Sequence, residues 1–262
     1  MSLKIEKIIS DKNEKVKGLT ARRDELYIFE GEKLVKDILN SGFRPGLLIL
    51  TEKGEESFPE LLSGGLDGWV VSDRVMKKIS LLKSPPSAVA VFEDLPGRDS
   101  GLEGDVVFVL DSIQDPGNLG SLFRCAAAFG IPAIVLTGDC VRMTNPKFLR
   151  TAQNSVFHVP VRKYESLSLF LKDAAVLRLH VYISTSHSRE HRVPIQQMKS
   201  PAAVVIGNEG GGVDEEIIRK FPVISLDQTT AVESLNAGIS GCILMERLAE
   251  KFGLLAVSSR RD

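Results

Sequence analysis

Residues 106–130 read VVFVLDSIQDPGNLGSLFRCAAAFG, and the change of pattern inside this stretch decides the fold class. Val106 to Leu110 is an unbroken apolar run, the composition of a strand covered on both faces. From about Leu119 to Phe129 the residues Leu119, Leu122, Phe123 and Ala126 recur at helical spacing, and Gly130 supplies the stop. A buried strand that runs through a Pro- and Gly-containing turn into a helix is the opening of a βα unit. The same alternation continues on both sides of it.

Downstream, strands are expected at Ala133 to Leu136, Val181 to Ile183, Val204 to Ile206 and Val223 to Leu226. A last helix is expected from Leu235 to about Lys251, burying Leu235, Ile239, Cys242, Ile243 and Leu248. Upstream, Tyr27 to Phe29, Leu47 to Leu50, Trp69 to Val71 and Val89 to Phe92 read as strands. Helices are expected over Glu32 to Asn40, near Leu61, and over Ser72 to Ile79. The stretch Leu95 to Gly104 is rich in Gly, Pro and charge, and suits a linker. The pattern therefore predicts an α/β chain: a small N-terminal α/β domain over residues 1–97, a linker over 98–104, and a C-terminal α/β domain over 105–262. Repeated strand–helix alternation in the latter implies a mostly parallel sheet with helices on both faces.

Composition narrows the class further. With 43% hydrophobic and 26% charged residues the chain is an ordinary globular protein, and no apolar run approaches the roughly 20 residues that span a bilayer. The charged start MSLKIEKIISDKNEK lacks a signal-peptide core, so a cytoplasmic location without membrane attachment is expected. Cys125, Cys140 and Cys242 are widely spaced, and His187 and His191, four apart, sit in a polar stretch with no third ligand nearby; no metal site is expected. Net charge is −1, yet residues 1–23 hold seven Lys or Arg against three acids. That segment suits phosphate contacts or is a solvated helix face.

Ligands of open α/β sheets bind beyond the carboxyl ends of the strands. Three loops there combine glycine with particular polar residues. Asp115 to Gly120, followed by Arg124, joins a buried strand to a helix, so its backbone amides can face an anion and the guanidinium can grip a phosphate in bidentate fashion. Gly207 to Gly212 has four glycines in six residues, with Glu209 embedded among them. Glu233 to Asn236 opens the last helix, where Ser234 is well placed as N-cap while Asn236 and Gly238 are poor helix formers. Two unfavourable residues there imply a close backbone approach. No GxGxxG and no GxxxxGK[ST] is present, which argues against dinucleotide-binding enzymes, common Rossmann methyltransferases and P-loop NTPases.

Together the three loops resemble the three signature motifs of the SpoU (TrmH-like) branch of the SPOUT methyltransferases. Asp111 to Gly120, continuing through Arg124 to Ala128-Phe129-Gly130, is similar to the first; Ala203 to Gly210 to the second; Val232 to Asn236 to the third. Asn13 to Lys17 and Phe29-Glu30-Gly31 resemble parts of that family's N-terminal substrate-binding domain. The resemblance implies a trefoil knot in the C-terminal domain, a homodimer, S-adenosylmethionine as cofactor and methylation of a ribose 2′-hydroxyl in RNA, 23S-type rRNA ahead of tRNA. It carries Asn118, Arg124, Glu209, Ser234 and Asn236 over as catalytic, and Gly207, Ile224, Leu226, Leu235 and Asn236 as cofactor-binding. A non-catalytic RNA-binding factor on the same fold, and a SPOUT enzyme acting on a base nitrogen, are the alternatives. The family's Ile-Pro-Met is here Ile224-Ser225-Leu226, and its Arg-Ala-Ser-x-Gly is Arg150-Thr151-Ala152-Gln153-Asn154, with Asn154 expected to tolerate the glycine's left-handed conformation.

Overall fold

The computed structural model describes residues 5–58, 66–95, 101–185, 191–229, 231 and 234–255. The expected helix near Leu61, part of the proposed linker, His187, and Val232 with Glu233 lie outside the described residues. By backbone contact the chain divides into two compact units: residues 1–96 with 143–154, and residues 97–142 with 155–262.

The first unit is built on strands β1 (Ile5–Ile8), β2 (Tyr27–Glu30), β3 (Leu47–Thr51), β4 (Gly68–Val71) and β5 (Ala88–Phe92), in the order β1-β4-β3-β5-β2. The sheet is mixed: β4 runs parallel to β1 and β3, whereas β5 is antiparallel to β3 and β2. Helices α1 (Glu14–Ala21), α2 (Glu32–Asn40), α3 (Glu52–Ser57) and α4 (Asp73–Ile79) alternate with the strands. Ile8, Val16, Ile49, Val71, Val75, Met76 and Val89 share one core cluster. The segments that resembled family motifs have local structural work. Asn13 caps α1 by accepting from Lys15 N, Gly31 takes φ 119° just before α2, and the Glu30 carboxylate accepts from Leu81 N at 3.1 Å and from the Ser80 hydroxyl. The basic N-terminal surplus is largely met by acids: Lys7 pairs with Glu52, Lys15 with Glu6, Lys17 with Glu14, and Arg22 with Glu25 and Glu93. Such exposed pairs are worth about 0–1 kcal/mol each, so a phosphate can displace them.

The second unit has β6 (Val106–Asp111), β7 (Ala133–Thr137), β8 (Val161–Tyr164), β9 (His180–Ser184), β10 (Ala202–Ile206) and β11 (Val223–Ile224), ordered β11-β9-β10-β6-β7-β8 with every pairing parallel. Every residue of β7 and β10, and all but Asp111 of β6, is buried, which is why their sequences read as continuous apolar runs. The remaining helices in chain order are α5 (Pro116–Ala128), α6 (Pro146–Ala152), α7 (Leu167–Val176), α8 (Glu215–Ile218) and α9 (Ala237–Lys251), of which all but α6 belong to this unit.

Helix α6 interrupts the continuous span 105–262, because its residues cluster with the first unit. Phe148, Leu149 and Ala152 are its buried side, it packs on β2, and Thr144 Oγ1 donates to the Asp24 carbonyl at 2.7 Å. At its end the positive φ (55°) falls on Gln153, not on the neighbouring Asn154. A non-glycine residue held there costs about 1–3 kcal/mol, drawn from the packing of α6.

Two helix starts differ from expectation. Helix α5 begins at Pro116, three residues before Leu119: the Asp115 carboxylate accepts from Asn118 N at 2.8 Å and proline occupies the first turn, where its missing N–H costs nothing. Helix α9 begins at Ala237, and its N-cap is Asn236, not Ser234; Asn236 Oδ1 accepts from Ile239 N at 3.2 Å. The buried side of α9 is Gly238, Gly241, Leu244, Met245, Leu248 and Ala249, while Leu235 and Ile239 are 36% and 55% exposed and Cys242 and Ile243 only half-buried. Glycine, not the largest apolar residues, marks the contact face. A Cβ on Gly241 would lie 2.4 Å from Leu122 Cδ2 of α5 and 2.8 Å from Ile206 Cδ1 of β10.

Overpacking of this kind typically costs about 1–3 kcal/mol. Gly241→Ala is therefore expected to lower the melting temperature by several degrees; an unchanged thermal melt would show that α9 can back away from α5 freely.

Candidate active site

The site assembles at the carboxyl edge of the second sheet, as parallel topology requires. Strand β10 runs straight into the loop 207–212, which folds back on itself: Gly212 N donates to Asn208 O at 2.9 Å. A Cβ on Gly207 would sit 2.4 Å from the Gly212 carbonyl carbon, so the turn admits no side chain there. The Asn208 side chain holds the loop from both sides. Its Nδ2 donates to the Ser112 carbonyl beyond β6 at 2.9 Å, and its Oδ1 accepts from Gly210 N at 2.7 Å and Gly211 N at 3.3 Å. The spacing of the loop motif gives Asn208 no role, although an asparagine at the end of a buried strand, just before a glycine run, suits a turn clamp.

Glu209 projects from this loop, exposed, and Asn118 Nδ2 on the first turn of α5 donates to its Oε1 at 2.7 Å. The backbone of α9 comes close to the same amide. A Cβ on Gly238 would lie 3.0 Å from Asn118 Oδ1 and 3.1 Å from Asn236 Oδ1. The close approach inferred from Gly238 thus exists, and what it meets is α5.

Beside this network lies a cavity of about 400 Å³ lined by the 207–212 loop and by Thr185, Leu226, Gln228, Ser234, Leu235 and Asn236, among others. The structure thus brings together Glu209, Ser234 and Asn236 of the expected catalytic set, and Gly207, Leu226, Leu235 and Asn236 of the expected cofactor set, around one space. The side chain of Ile224, a residue expected to contribute mainly through its backbone, does not line the cavity, whereas the next residue, Ser225, does. Ile224 is fully buried as the last residue of β11, and its carbonyl accepts from Thr185 N at 3.2 Å. Asn118 touches the site through Glu209 without lining the cavity. Arg124 is exposed on α5, outside the lining, with no hydrogen bond or ion pair among the described residues. Thr185, Gln228 and Ser240 are also part of the wall; neither motif nor periodicity singles out Thr185 or Gln228.

Residues 105–246 match the SpoU rRNA Methylase family, and residues 14–90 match the MRM3-like substrate binding domain. The chain belongs to the SpoU rRNA methylase family. It is 30% identical over 253 residues to the 23S rRNA (guanosine(2553)-2′-O)-methyltransferase RlmP of Bacillus subtilis, covering 93% of this chain and 99% of that protein. Among solved structures, an AdoMet-bound rRNA methyltransferase from Sinorhizobium meliloti superposes with a TM-score of 0.79 at 26% identity, covering 96% of this chain and 99% of the other. The SpoU methyltransferase AviRb from Streptomyces viridochromogenes shares the fold, with a TM-score of 0.78 at 19% identity over 92% of this chain and 98% of that one. Membership in the family fits the geometry: a backbone-lined cavity at the strand ends, next to a carboxylate held by an amide.

The Asn118–Glu209 bond has a testable pH signature. Asn118→Asp sets two carboxylates against each other. Above their ordinary pKa both are ionised and repel; on acidification one binds a proton and the repulsion ends. The melting temperature of the variant should therefore fall short of wild type by more at pH 8 than at pH 4.5. A shortfall independent of pH would show that the two side chains do not face each other in solution.

Proposed function

We propose that this protein transfers a methyl group from S-adenosylmethionine to a ribose 2′-hydroxyl of 23S-type rRNA. The observation that carries the reading is the junction of the 207–212 loop, the Asn118–Glu209 hydrogen bond and the adjoining cavity at one sheet edge. The cavity walls suit the cofactor. Leu226, Leu235 and Ile206 offer apolar surface to a flat base, while the loop backbone and the Ser234 hydroxyl offer polar partners to a ribose and an amino acid. When bound, S-adenosylmethionine supplies an electrophilic methyl group. The chain's own residues do the positioning. Gly207 lets the backbone approach closely, and Asn208 keeps the loop in shape. Asn118 leaves Glu209 Oε2 free of its own bond to Oε1, available to accept from the ribose hydroxyl. Arg124, with its planar guanidinium, grips a neighbouring phosphate and favours loss of the O2′ proton.

The reading extends to a homodimer in the cytoplasm with a C-terminal trefoil knot. The exposed Ile239 and Leu235 at the start of α9 favour pairing of two copies through this region. No helix among the described residues is long and apolar enough to cross a membrane. The family resemblance and the strand order, in which β10 lies between β6 and β9, support the knot.

The deciding experiment incubates the purified chain with methyl-tritiated cofactor and rRNA lacking the modification, then digests to nucleosides for mass spectrometry. A 2′-O-methylated nucleoside is expected. A methylated base overturns the reading, and cofactor binding without transfer to rRNA or tRNA favours a non-catalytic RNA-binding factor. In the same assay Arg124→Ala should abolish transfer while leaving the thermal melt within about 0.5 kcal/mol of wild type, as for exposed positions generally. Arg124→Lys should not recover it, because a point charge lacks the planar fork. Recovery by lysine would reduce the role of Arg124 to charge alone. Light scattering at micromolar concentration should give twice 28.7 kDa; a clean monomer would remove the dimer.

A further inference from the structure

One wall of the cavity at the sheet edge is held from its far side. Ser225, Leu226 and Gln228, which follow β11, line that cavity. Ser225 also lines a second space, of about 850 Å³, together with Arg192, Asp227 and Arg247. Residues 225–228 are therefore a layer of chain with a hollow on either side. The strand that delivers them, β11, is only two residues long. The motif they resemble carries proline where this chain has Ser225, so no ring fixes φ there.

Arg192 stands on the far side of this layer. Its backbone pairs with Val223 in parallel sense: Val193 N donates to Val223 O at 2.8 Å, and Val223 N donates to His191 O at 3.0 Å. The base of the side chain is thus registered against β11. Its tip reaches the layer itself. Arg192 Nη2 donates to the Asp227 carboxylate at 2.6 Å and to the Ser225 carbonyl at 3.4 Å. The two acceptors flank Leu226, which faces the cavity. The bond and charge of Arg192 hold the Asp227 carboxyl below its usual range, so the pair is ionised at neutral pH.

We propose that Arg192 is a positioning residue that clamps residues 225–228 from behind, in the conformation that receives S-adenosylmethionine. The inference rests on the cofactor occupying the cavity beside the 207–212 loop, as read above. Arg192 does not line that cavity and acts through Leu226 and Gln228, which do. The side chains of the pair are 40% and 87% exposed, so the link adds little to the stability of the whole unit. Its effect is local. A ligand that binds only the ordered form of a loop loses apparent affinity as that form is depopulated. An exposed pair can bias such an equilibrium by up to about fivefold.

The test measures S-adenosylmethionine binding to the full-length chain by calorimetry, with thermal melts alongside. Arg192→Met keeps most of the stem and removes the donor and the charge. It should weaken binding about two- to fivefold, with the melting temperature within about two degrees of wild type. Arg192→Lys should recover most of the loss, because a single ammonium can donate to both acceptors as Nη2 does. Asp227→Asn should also weaken binding, and the double variant Arg192→Met with Asp227→Asn should bind no more weakly than Arg192→Met alone, since both changes break one link. Wild-type affinity in Arg192→Met, no recovery by lysine, or additive losses in the double variant would each overturn the clamp and leave the cofactor reading standing. A melting temperature that falls in step with affinity would make Arg192 a residue of the fold, which also overturns it. No binding by the wild-type chain would overturn the cofactor reading and the clamp together.

Discussion

The close crossing of α5 on α9 is the constraint from which the rest of the C-terminal unit follows. Helices usually pack with side chains between them at 8–10 Å. Here Gly238 and Gly241 remove the side chains on one partner, so the α9 backbone lies directly on Leu122 and Asn118. That approach places the start of α9 beside the first turn of α5. Residues more than a hundred positions apart, Asn118 and Asn236, thereby come to the same edge. A larger residue at either glycine pushes apart two elements whose ends build the site. The intrinsic cost of glycine in a helix, about 1 kcal/mol each, is the price of that proximity.

The parallel sheet supplies the second half of the geometry. Because every strand of the second sheet points the same way, the segments after β6, β9, β10 and β11 all emerge at one edge. Buried strands fix their ends well, and the loops that leave them can then be irregular without losing position. The 207–212 turn illustrates the division of labour: β10 is fully buried, while Asn208 holds the loop by bonds reaching across to the chain beyond β6.

Legibility in the sequence follows burial. Strands β6, β7, β9 and β10 were readable because burial on both faces forces continuous apolar composition. The edge strands β1 and β8 were not: IEKI and VRKY carry charges that protect sheet edges and erase the period-2 signal. Helix α6 escaped because its apolar residues serve the first unit, so its pattern makes no sense within its sequence neighbourhood. The start of α9 was misread because capping chemistry is common to Ser234 and Asn236, and only the direction of the chain decides between them. For the site, motif likeness located the loops, while the side chain of Ile224 belongs to the core. Thr185 and Gln228 entered the cavity wall through sheet register and the loop beyond β11, which spacing along a chain does not encode.

The exposure of Arg124 and Glu209 bears on how such a site could work. Two unit charges 4 Å apart interact by about 1 kcal/mol in bulk water but about 4 kcal/mol where the effective dielectric constant is near 20. In the isolated chain both side chains are exposed, so water screens their charges. On the proposed reading, a docked RNA segment excludes that water and its phosphate becomes the partner that Arg124 lacks among the described residues. The substrate then completes the electrostatics it needs. Such a design favours a structured RNA over a free nucleoside, because only a large ligand covers the edge well enough to lower the local dielectric. It also accounts for the presence of a separate substrate-binding unit: the energy of gripping RNA through residues 14–90 can be spent on dehydrating a carboxylate and a guanidinium that, left alone, would stay in water.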